Sequence, residues 1–220
     1  MNNGDMRYKL LQPWSTFVMI TKVPPSILEK MIKITDEIVT NVKSMPPGAT
    51  GSGQLKDEFS LEQEILEREG LLKYFLHMTR QFVIEQTLQQ NPLTEEKKLN
   101  NDKWYTSMTA AWIVSQKDNE YQPVHTHSKC HISSVMYLKI PEYLPNRNPI
   151  NNDDGSITFT SNVSNDPTWG VPFFNIQPVV GDFFIFPASQ VHQVYPFRTA
   201  DGKGERRSMS FNAKFSTKKV

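Results

Sequence analysis

The fold of this chain is decided by the stretch His125-Thr-His-Ser-Lys-Cys-His-Ile-Ser-Ser-Val-Met-Tyr-Leu138 and by the strands around it. An extended segment with two histidines one residue apart is followed, after a short polar turn, by a strand of small and apolar residues. Further short strand candidates alternate with turn residues toward the C-terminus, a pattern typical of sandwiches and barrels. We therefore predict a mainly β protein with flanking helices, in which the strands form a jelly roll.

The predicted strands of this jelly roll cover residues 104–115, 122–127, 131–140, 156–161, 171–177, 182–187, 190–196 and 206–215. Before them, residues 8–22 are expected to be extended. Apolar residues at helical spacing then predict a helix that starts at Pro24-Pro25 and reaches about Val42. A second helical stretch, residues 61–90, contains Gly70, where we expect a break.

Length and composition limit the classes of function. A chain of 220 residues is expected to form a single domain, with 1–103 supplying an N-terminal strand and helices and 104–220 the jelly-roll core. The net charge of +1 gives no indication of binding to nucleic acid or to an anionic membrane. The single cysteine excludes an internal disulfide, and no apolar run is long enough for a membrane span or a signal peptide. The expected location is the cytoplasm.

Three of the five histidines are predicted to meet at one end of the jelly roll. His125 and His127 project to the same side of an extended segment because they are two residues apart. His192 closes the later run Gly181-Asp-Phe-Phe-Ile-Phe-Pro-Ala-Ser-Gln-Val-His192. Imidazole nitrogens bind divalent iron, zinc or copper, so these residues are a candidate metal site. The alternative is a polar loop with no metal, in which His192 is a hydrogen-bonded surface residue.

The other potential ligands are weaker candidates. His131 is expected to face solvent or to support the site without binding the metal, and His77 is expected on a helix surface. Cys130 lies on a predicted turn, and no second cysteine supports a soft-metal site.

The last predicted strand, Arg-Arg-Ser-Met-Ser-Phe-Asn, has one polar face. That face carries Arg206, Ser208, Ser210 and Asn212, and it is expected to meet a polar group inside the barrel. A guanidinium pairs with a carboxylate through two parallel hydrogen bonds, so Arg206 is a candidate carboxylate anchor. The alternatives are an exposed strand face and a shift of register by one residue, which would make Arg207 the anchor. A metal beside a buried arginine would suit an iron oxygenase with an oxo-acid cosubstrate.

These three runs resemble motifs of a known family. The first is similar to His-x-His, a spacer and Ser-Gly-Val-Tyr-Tyr-Leu; the second to Gly-Asp-Leu-x-Leu-Phe-Pro-Ser-x-x-x-His; and the third to Arg-x-Ser-x-Ser-Phe-Asn. Over residues 104–217 the chain resembles the 2-oxoglutarate/Fe(II)-dependent oxygenases of marine bacteria and tailed phages, which are related to prolyl 4-hydroxylases. A phage-encoded chain would act in the host cytoplasm.

The resemblance implies a cupin-like double-stranded β-helix that uses Fe(II), 2-oxoglutarate and O2. By position in the motifs, His125 and His192 would bind the iron, and Arg206 would bind the far carboxylate of 2-oxoglutarate. Ser208 could add a hydroxyl on the same strand face, and Tyr137 matches a tyrosine that reaches this carboxylate in prolyl hydroxylases. No catalytic residue beyond the metal site is expected.

The chain departs from the family at one ligand position. Prolyl hydroxylases have His-x-Asp, whereas His127 stands at the second position here. We expect His127 to complete a site of three histidines. Glu120 or Asp118, in the preceding loop, could supply a carboxylate instead.

The implied function is hydroxylation of an amino-acid-type substrate, either peptidyl proline or a free small molecule, with release of succinate and CO2. One alternative is a jelly-roll binding module without turnover, and another is a three-histidine dioxygenase that does not use 2-oxoglutarate. Four aromatic residues are candidates for the substrate side of the site or for plain core: Trp112, Trp169, Phe173 and Phe174. The sequence leaves the substrate and the oligomeric state open.

Overall fold

The structure of the chain is a computed structural model that describes residues 17–46, 55–90, 104–145, 153–161 and 172–217. Its helices are α1 (Pro25–Asn41), α2 (Gln63–Arg68) and α3 (Leu72–Gln90). Its strands are β1 (Met19–Lys22), β2 (Glu58–Ser60), β3 (Tyr105–Lys117), β4 (Gln122–His125), β5 (Ile132–Lys139), β6 (Ile157–Thr160), β7 (Phe173–Ile176), β8 (Asp182–Pro187), β9 (His192–Val194) and β10 (Glu205–Ser216).

The strands form two antiparallel sheets that face each other. One sheet has the order β1-β8-β5-β10-β3-β2 and the other β4-β9-β6-β7. Of the eight strands β3 to β10, the first sheet therefore holds β3, β5, β8 and β10 and the second holds β4, β6, β7 and β9, as in a double-stranded β-helix. All eight predicted strands are present as β3 to β10, and the predicted fold class is confirmed. The strand β2 was not predicted.

The helices begin and break where the local sequence demands. Helix α1 has proline at its first position, where the missing N–H costs nothing. The expected break of the second helical stretch is confirmed at Gly70, whose φ of +72° is readily adopted only by glycine. None of the helices in the described ranges is long and apolar enough to span a membrane.

The long strand β10 shows how the sheet separates two environments. Met209, Phe211 and Ala213 are fully buried on the face that packs against the helices, where the rings of Phe211 and Phe75 lie 5.5 Å apart. The alternate residues Arg206 and Ser208 face the space between the two sheets. That space holds a smaller apolar cluster and a cavity. The cluster consists of Tyr137, Ile157, Phe159, Phe184 and Phe186.

The register of β10 decides which of its two arginines enters the cavity. Arg207 lies on the helix side, where its guanidinium is 2.6 Å from Asp36 and 2.6 Å from Glu205. Arg206 lies on the cavity side. The shifted register that would have made Arg207 the anchor is therefore not the one that the chain adopts.

Candidate metal centre and cosubstrate pocket

Three imidazoles meet at one end of the cavity. His125 ends β4 and His192 begins β9, and the two residues are direct partners in the antiparallel pairing of these strands. His127 lies two residues further on, where its backbone N–H donates to the carbonyl of Ala188 at 2.8 Å. One ring nitrogen from each of the three histidines lies within 4.8 Å of those of the other two. This spacing is compatible with one shared metal ion, although the imidazoles would have to draw closer to reach bonds of roughly 2.0–2.2 Å.

Local hydrogen bonds fix how two of these rings can bind a metal. The Nδ1 atom of His125 lies 2.7 Å from the carbonyl oxygen of Pro123. The Nδ1 atom of His192 lies 2.9 Å from that of Gln190. A carbonyl only accepts hydrogen bonds, so Nδ1 carries the proton and the lone pair is left on Nε2. In both residues Nε2 is thus the nitrogen available to a metal.

Burial keeps the histidines neutral. Loss of solvation and, to a smaller extent, the charge of the neighbouring His125 together lower the pKa of His192 to about 3. The same two causes lower the pKa of His127 to about 4. Burial also lowers the pKa of His125, against the opposing effect of its bond to Pro123. Neutral imidazole is the form that binds metal, so no proton has to leave these rings near neutral pH.

Aromatic side chains surround the three histidines. The rings of Phe186 and His192 have centroids 4.7 Å apart, and those of Phe159 and His192 are 6.1 Å apart. On the other side the ring of Trp112 lies 6.0 Å from that of His127. These rings limit the access of water to the site and lower its effective dielectric constant.

The carboxylates considered as alternative ligands have other partners. Glu120 accepts a hydrogen bond from the backbone N–H of Lys117 at 3.0 Å. Asp118 accepts from the backbone N–H and the hydroxyl of Thr199 at 2.7 and 2.8 Å. Both thus stabilise turns, and no Asp or Glu of the described residues belongs to the three-histidine group. The geometry therefore favours His127 over a carboxylate.

The remaining candidate ligands also lie outside this group. His131 uses Nδ1 to accept a hydrogen bond from the backbone of Phe215 at 3.2 Å and is exposed. His77 is exposed on α3, and Cys130 is half-buried.

Arg206 forms the second feature of the cavity. It is 2% exposed, and its guanidinium donates to the carbonyl of Gly155 and to the side-chain oxygen of Gln116. The guanidinium carbon lies 5.8 Å from the centroid of the Tyr137 ring and 5.6 Å from that of Phe197. Within the described ranges no carboxylate forms an ion pair with Arg206. A buried cation without a counter-ion is costly, so the arrangement suits an anionic ligand.

Tyr137 adds a hydroxyl donor beside this cation. The side chain is 1% exposed, and its hydroxyl has no hydrogen-bond partner among the residues that the structure describes. Burial raises the pKa of this hydroxyl to about 12, although the positive charge of Arg206 opposes the rise. The hydroxyl therefore stays protonated, and an incoming carboxylate oxygen would give it the missing partner. Ser208, the register partner of Tyr137 on β10, lines the same cavity.

The cavity connects the two features. The space in it that can hold a water-sized sphere is about 60 Å³. Six of its lining residues are those predicted from the sequence: His125, His127, His192, Tyr137, Arg206 and Ser208. Of the four aromatic candidates, Trp112 lines the cavity, whereas Phe173 and Phe174 are 58% and 54% exposed on β7. Trp169 lies outside the described residues.

Sequence reasoning missed the residues that hold Arg206 in place. Gln116 and Gly155 are 90 and 51 residues away from it in the chain. A signal for Gln116 existed: Trp112, Val114 and Gln116 alternate along β3 and all line the cavity, so a polar residue ends an otherwise apolar inner face.

Comparisons with known proteins agree with the fold. Residues 110–212, which include all six predicted residues, match the family described as "Putative 2OG-Fe(II) oxygenase". No curated protein matches the chain significantly. Among solved structures, a prolyl-4-hydroxylase from Pseudomonas putida is similar with 15% identity and a TM-score of 0.56, over 92% of this chain and 93% of that protein.

Two further solved structures share the fold. The viral collagen prolyl hydroxylase of Paramecium Bursaria Chlorella virus-1, in complex with 2OG, is 11% identical with a TM-score of 0.51, over 89% of this chain and 94% of that protein. HygX from Streptomyces hygroscopicus, with nickel, 2-oxoglutarate and hygromycin B bound, is 8% identical with a TM-score of 0.53, over 90% and 83%. These solved structures show the fold alone, whereas the family match identifies residues 110–212 as a 2OG-Fe(II) oxygenase, an oxidoreductase that uses Fe(II), 2-oxoglutarate and O2.

Proposed function

We propose that this protein hydroxylates an amino-acid-type substrate, either peptidyl proline or a free small molecule, with release of succinate and CO2. His125, His127 and His192 hold the iron, and Arg206 binds the far carboxylate of 2-oxoglutarate. The observation that carries the proposal is the presence of three neutral imidazoles and a buried, uncompensated arginine in one cavity. When bound, the cofactors supply the oxidative decarboxylation of 2-oxoglutarate and the hydroxylation of a C–H bond.

Because the three histidines and Arg206 line one cavity, their arrangement is compatible with one extended dicarboxylate. Gln116, which accepts from Arg206, also reaches the backbone carbonyl of Tyr195. Tyr195 is three residues beyond His192, which is roughly 10 Å along an extended strand. A ligand that spans metal and arginine therefore lies along β9.

The charges of the site favour a dianion. Three neutral imidazoles leave the full +2 charge of a ferrous ion, and Arg206 adds one more positive charge inside the cavity. The guanidinium can bind the far carboxylate through parallel hydrogen bonds, and Tyr137 can donate one more. Ser208 offers a hydroxyl on the same wall. Phe186, Phe159 and Trp112 keep the reacting atoms away from bulk water.

The proposed class of substrate is argued from the apolar side chains next to the three histidines. His192, Phe159 and Phe174 are consecutive partners across β9, β6 and β7, so the three side chains lie on the same face of the sheet. Phe174 ends this row in an exposed position, about two strand spacings or roughly 10 Å from His192. Such a row of rings can pack against the ring of proline or another compact apolar group. Two of the fold relatives are described as prolyl hydroxylases.

The proposal is tested by oxygen consumption of the Fe(II)-loaded protein with and without 2-oxoglutarate, with succinate measured by NMR. Substrates are a proline-containing peptide, the same peptide with alanine in place of proline, and free proline, analysed by mass spectrometry for one added oxygen atom. We expect succinate only with 2-oxoglutarate, and oxygen addition only on a proline substrate.

The control is His192→Ala, which should abolish both signals. Oxygen consumption that is indifferent to 2-oxoglutarate would instead indicate a three-histidine dioxygenase with another mechanism. A folded, iron-loaded protein that consumes no oxygen under any of these conditions would refute peptidyl or free proline as the substrate.

A further inference from the structure

The side-chain amide of Gln116 is held by hydrogen bonds on both its nitrogen and its oxygen, next to the guanidinium of Arg206. Gln116 is 3% exposed at the end of β3, and its side-chain N–H groups point at the backbone carbonyls of Glu120 and Tyr195. Carbonyls only accept hydrogen bonds, so the amide cannot be turned over without losing both contacts. Its oxygen is therefore directed at the guanidinium of Arg206, which donates to it.

The two neighbouring arginines of β10 differ in what accepts their hydrogen bonds. Arg207 donates from three nitrogens to the carboxylates of Glu205 and Asp36, so its charge is neutralised locally. Arg206 donates to an amide oxygen and to a backbone carbonyl, both of which are neutral. These two bonds occupy two of the five N–H donors of the guanidinium. The orientation of Arg206 is fixed by neutral groups, and the hydroxyl of Tyr143 also lies beside the guanidinium, while no carboxylate of the described residues neutralises its charge.

We infer that Gln116 is a positioning residue that holds Arg206 without neutralising it, and that it thereby makes the pocket select oxo acids with a second carboxylate. The inference rests on the proposed binding of 2-oxoglutarate in this cavity. A carboxylate at position 116 would keep the shape of the side chain but would pair with Arg206 and compete with the ligand. An apolar side chain there would leave the guanidinium without one of its two supports.

The test compares two ligands on the Fe(II) protein under anaerobic conditions, by isothermal titration calorimetry. 2-Oxoglutarate carries the far carboxylate, and 2-oxopentanoate has the same chain length without it. We expect the wild-type protein to prefer 2-oxoglutarate by roughly 30-fold or more, the usual effect of a buried charged partner. Gln116→Glu should reduce that preference at least tenfold by weakening 2-oxoglutarate alone. The affinity for 2-oxopentanoate should change less than threefold.

Two further variants keep the test decisive. Gln116→Met preserves the volume without adding charge, and it should reduce the preference about threefold to tenfold even if Gln116→Glu folds poorly. Gln193→Glu is the matched control, because Gln193 lies on β9 between the cavity-lining His192 and Val194 and so faces the other side of the sheet. It adds the same charge and should leave the preference unchanged. A wild-type preference in both Gln116 variants would overturn the inference.

Failure of this inference can be separated from failure of the proposed function. If the wild-type protein does not prefer 2-oxoglutarate, the proposed cosubstrate site is wrong whatever Gln116 does. The contact itself is then tested without ligand, by urea unfolding of Gln116→Glu with Arg206 present and in an Arg206→Met background. The new carboxylate should be tolerated better when Arg206 is present. Equal shifts of the unfolding midpoint in the two backgrounds would show that Gln116 does not hold Arg206.

Discussion

Arg206 and Arg207 are adjacent in the chain but lie on opposite faces of β10. Replacing Arg206 by methionine should therefore affect ligand binding, whereas replacing Arg207 should affect stability. Methionine retains much of the length and removes the charge. Arg206→Met should weaken binding of 2-oxoglutarate and leave the fold largely intact. Arg207→Met should destabilise the fold and leave the affinity for 2-oxoglutarate within about threefold of the wild-type value.

The expected magnitudes follow from burial and partners. Removing one partner of a buried charged contact typically costs about 2–5 kcal/mol, so Arg206→Met should raise the Kd for 2-oxoglutarate by roughly 30-fold or more. Breaking a fully buried ion pair costs about 3–5 kcal/mol. Arg207 is buried, but the Asp36 side chain is 46% exposed and that of Glu205 is 21% exposed. After discounting for solvent screening, we expect Arg207→Met to lower the free energy of unfolding by about 2 kcal/mol.

The two effects are measured on the same protein preparations. Calorimetry with Fe(II) under anaerobic conditions gives the Kd for 2-oxoglutarate, and urea unfolding gives the stability. The reasoning is refuted if Arg207→Met abolishes cosubstrate binding while Arg206→Met binds normally. That result would mean that Arg207, and not Arg206, binds the cosubstrate in the cavity.

Three further perturbations test other parts of the site and fold. His192→Ala should lower the affinity for Fe(II) by orders of magnitude with an unchanged circular dichroism spectrum, and stoichiometric iron retained by that variant would contradict the ligand assignment. Tyr137→Phe removes a hydroxyl that has no hydrogen-bond partner in the described parts of the chain, so unfolding should be nearly unaffected while the Kd for 2-oxoglutarate rises about fivefold, near 1 kcal/mol. The third perturbation is low pH, which protonates Asp36 and Glu205. Hydrogen bonds from Lys139 and Arg207 lower the pKa of Asp36. Burial raises the pKa of Glu205, but hydrogen bonds from Ser115 and Arg207 outweigh it and lower the pKa overall. The two carboxylates contribute fully to the free energy of unfolding above their pKa in the unfolded chain, near 4, and this contribution is lost as the pH falls through their lower pKa values in the folded protein. In urea titrations at several pH values, Arg207→Met should therefore make the free energy of unfolding depend less on pH in this acid range.

Much of the fold could be predicted from the sequence because its signals are local. Alternating polarity and turn residues identify all eight strands of the jelly roll, and Gly70 marks the helix break. The three-residue strand β2 could not be predicted this way. It is defined by pairing of Glu58, Phe59 and Ser60 with the centre of β3, more than 50 residues later, and a run that short has no periodicity of its own.

In the site, too, the residues with local sequence signals could be predicted, and those placed by distant segments could not. The two-residue spacing of His125 and His127, and the alternation along β10, are local patterns that indicate which side chains face inward. The supports of Arg206 come from distant segments, because Gln116 and Gly155 reach it only when β3 and the turn before β6 are in place. The same limit applies to Glu120, whose role in the turn after β3 is a tertiary outcome.

His127 stands where the resemblance to prolyl hydroxylases implies an aspartate, and its replacement tests the proposed three-histidine site directly. Its ring forms no hydrogen bond within the described residues, unlike those of His125 and His192, so the ring can adjust to a metal while Ala188 holds its backbone. His127→Ala should clearly weaken Fe(II) binding, but less than His192→Ala, because a water molecule can take the vacated position. His127→Asp should retain the iron, since it restores a ligand, but it lowers the charge of the site by one and should weaken 2-oxoglutarate binding. Unchanged metal affinity in His127→Ala, or a metal-bound structure with the ring more than about 4 Å from the ion against first-shell bonds of roughly 2.0–2.2 Å, would remove His127 from the ligands.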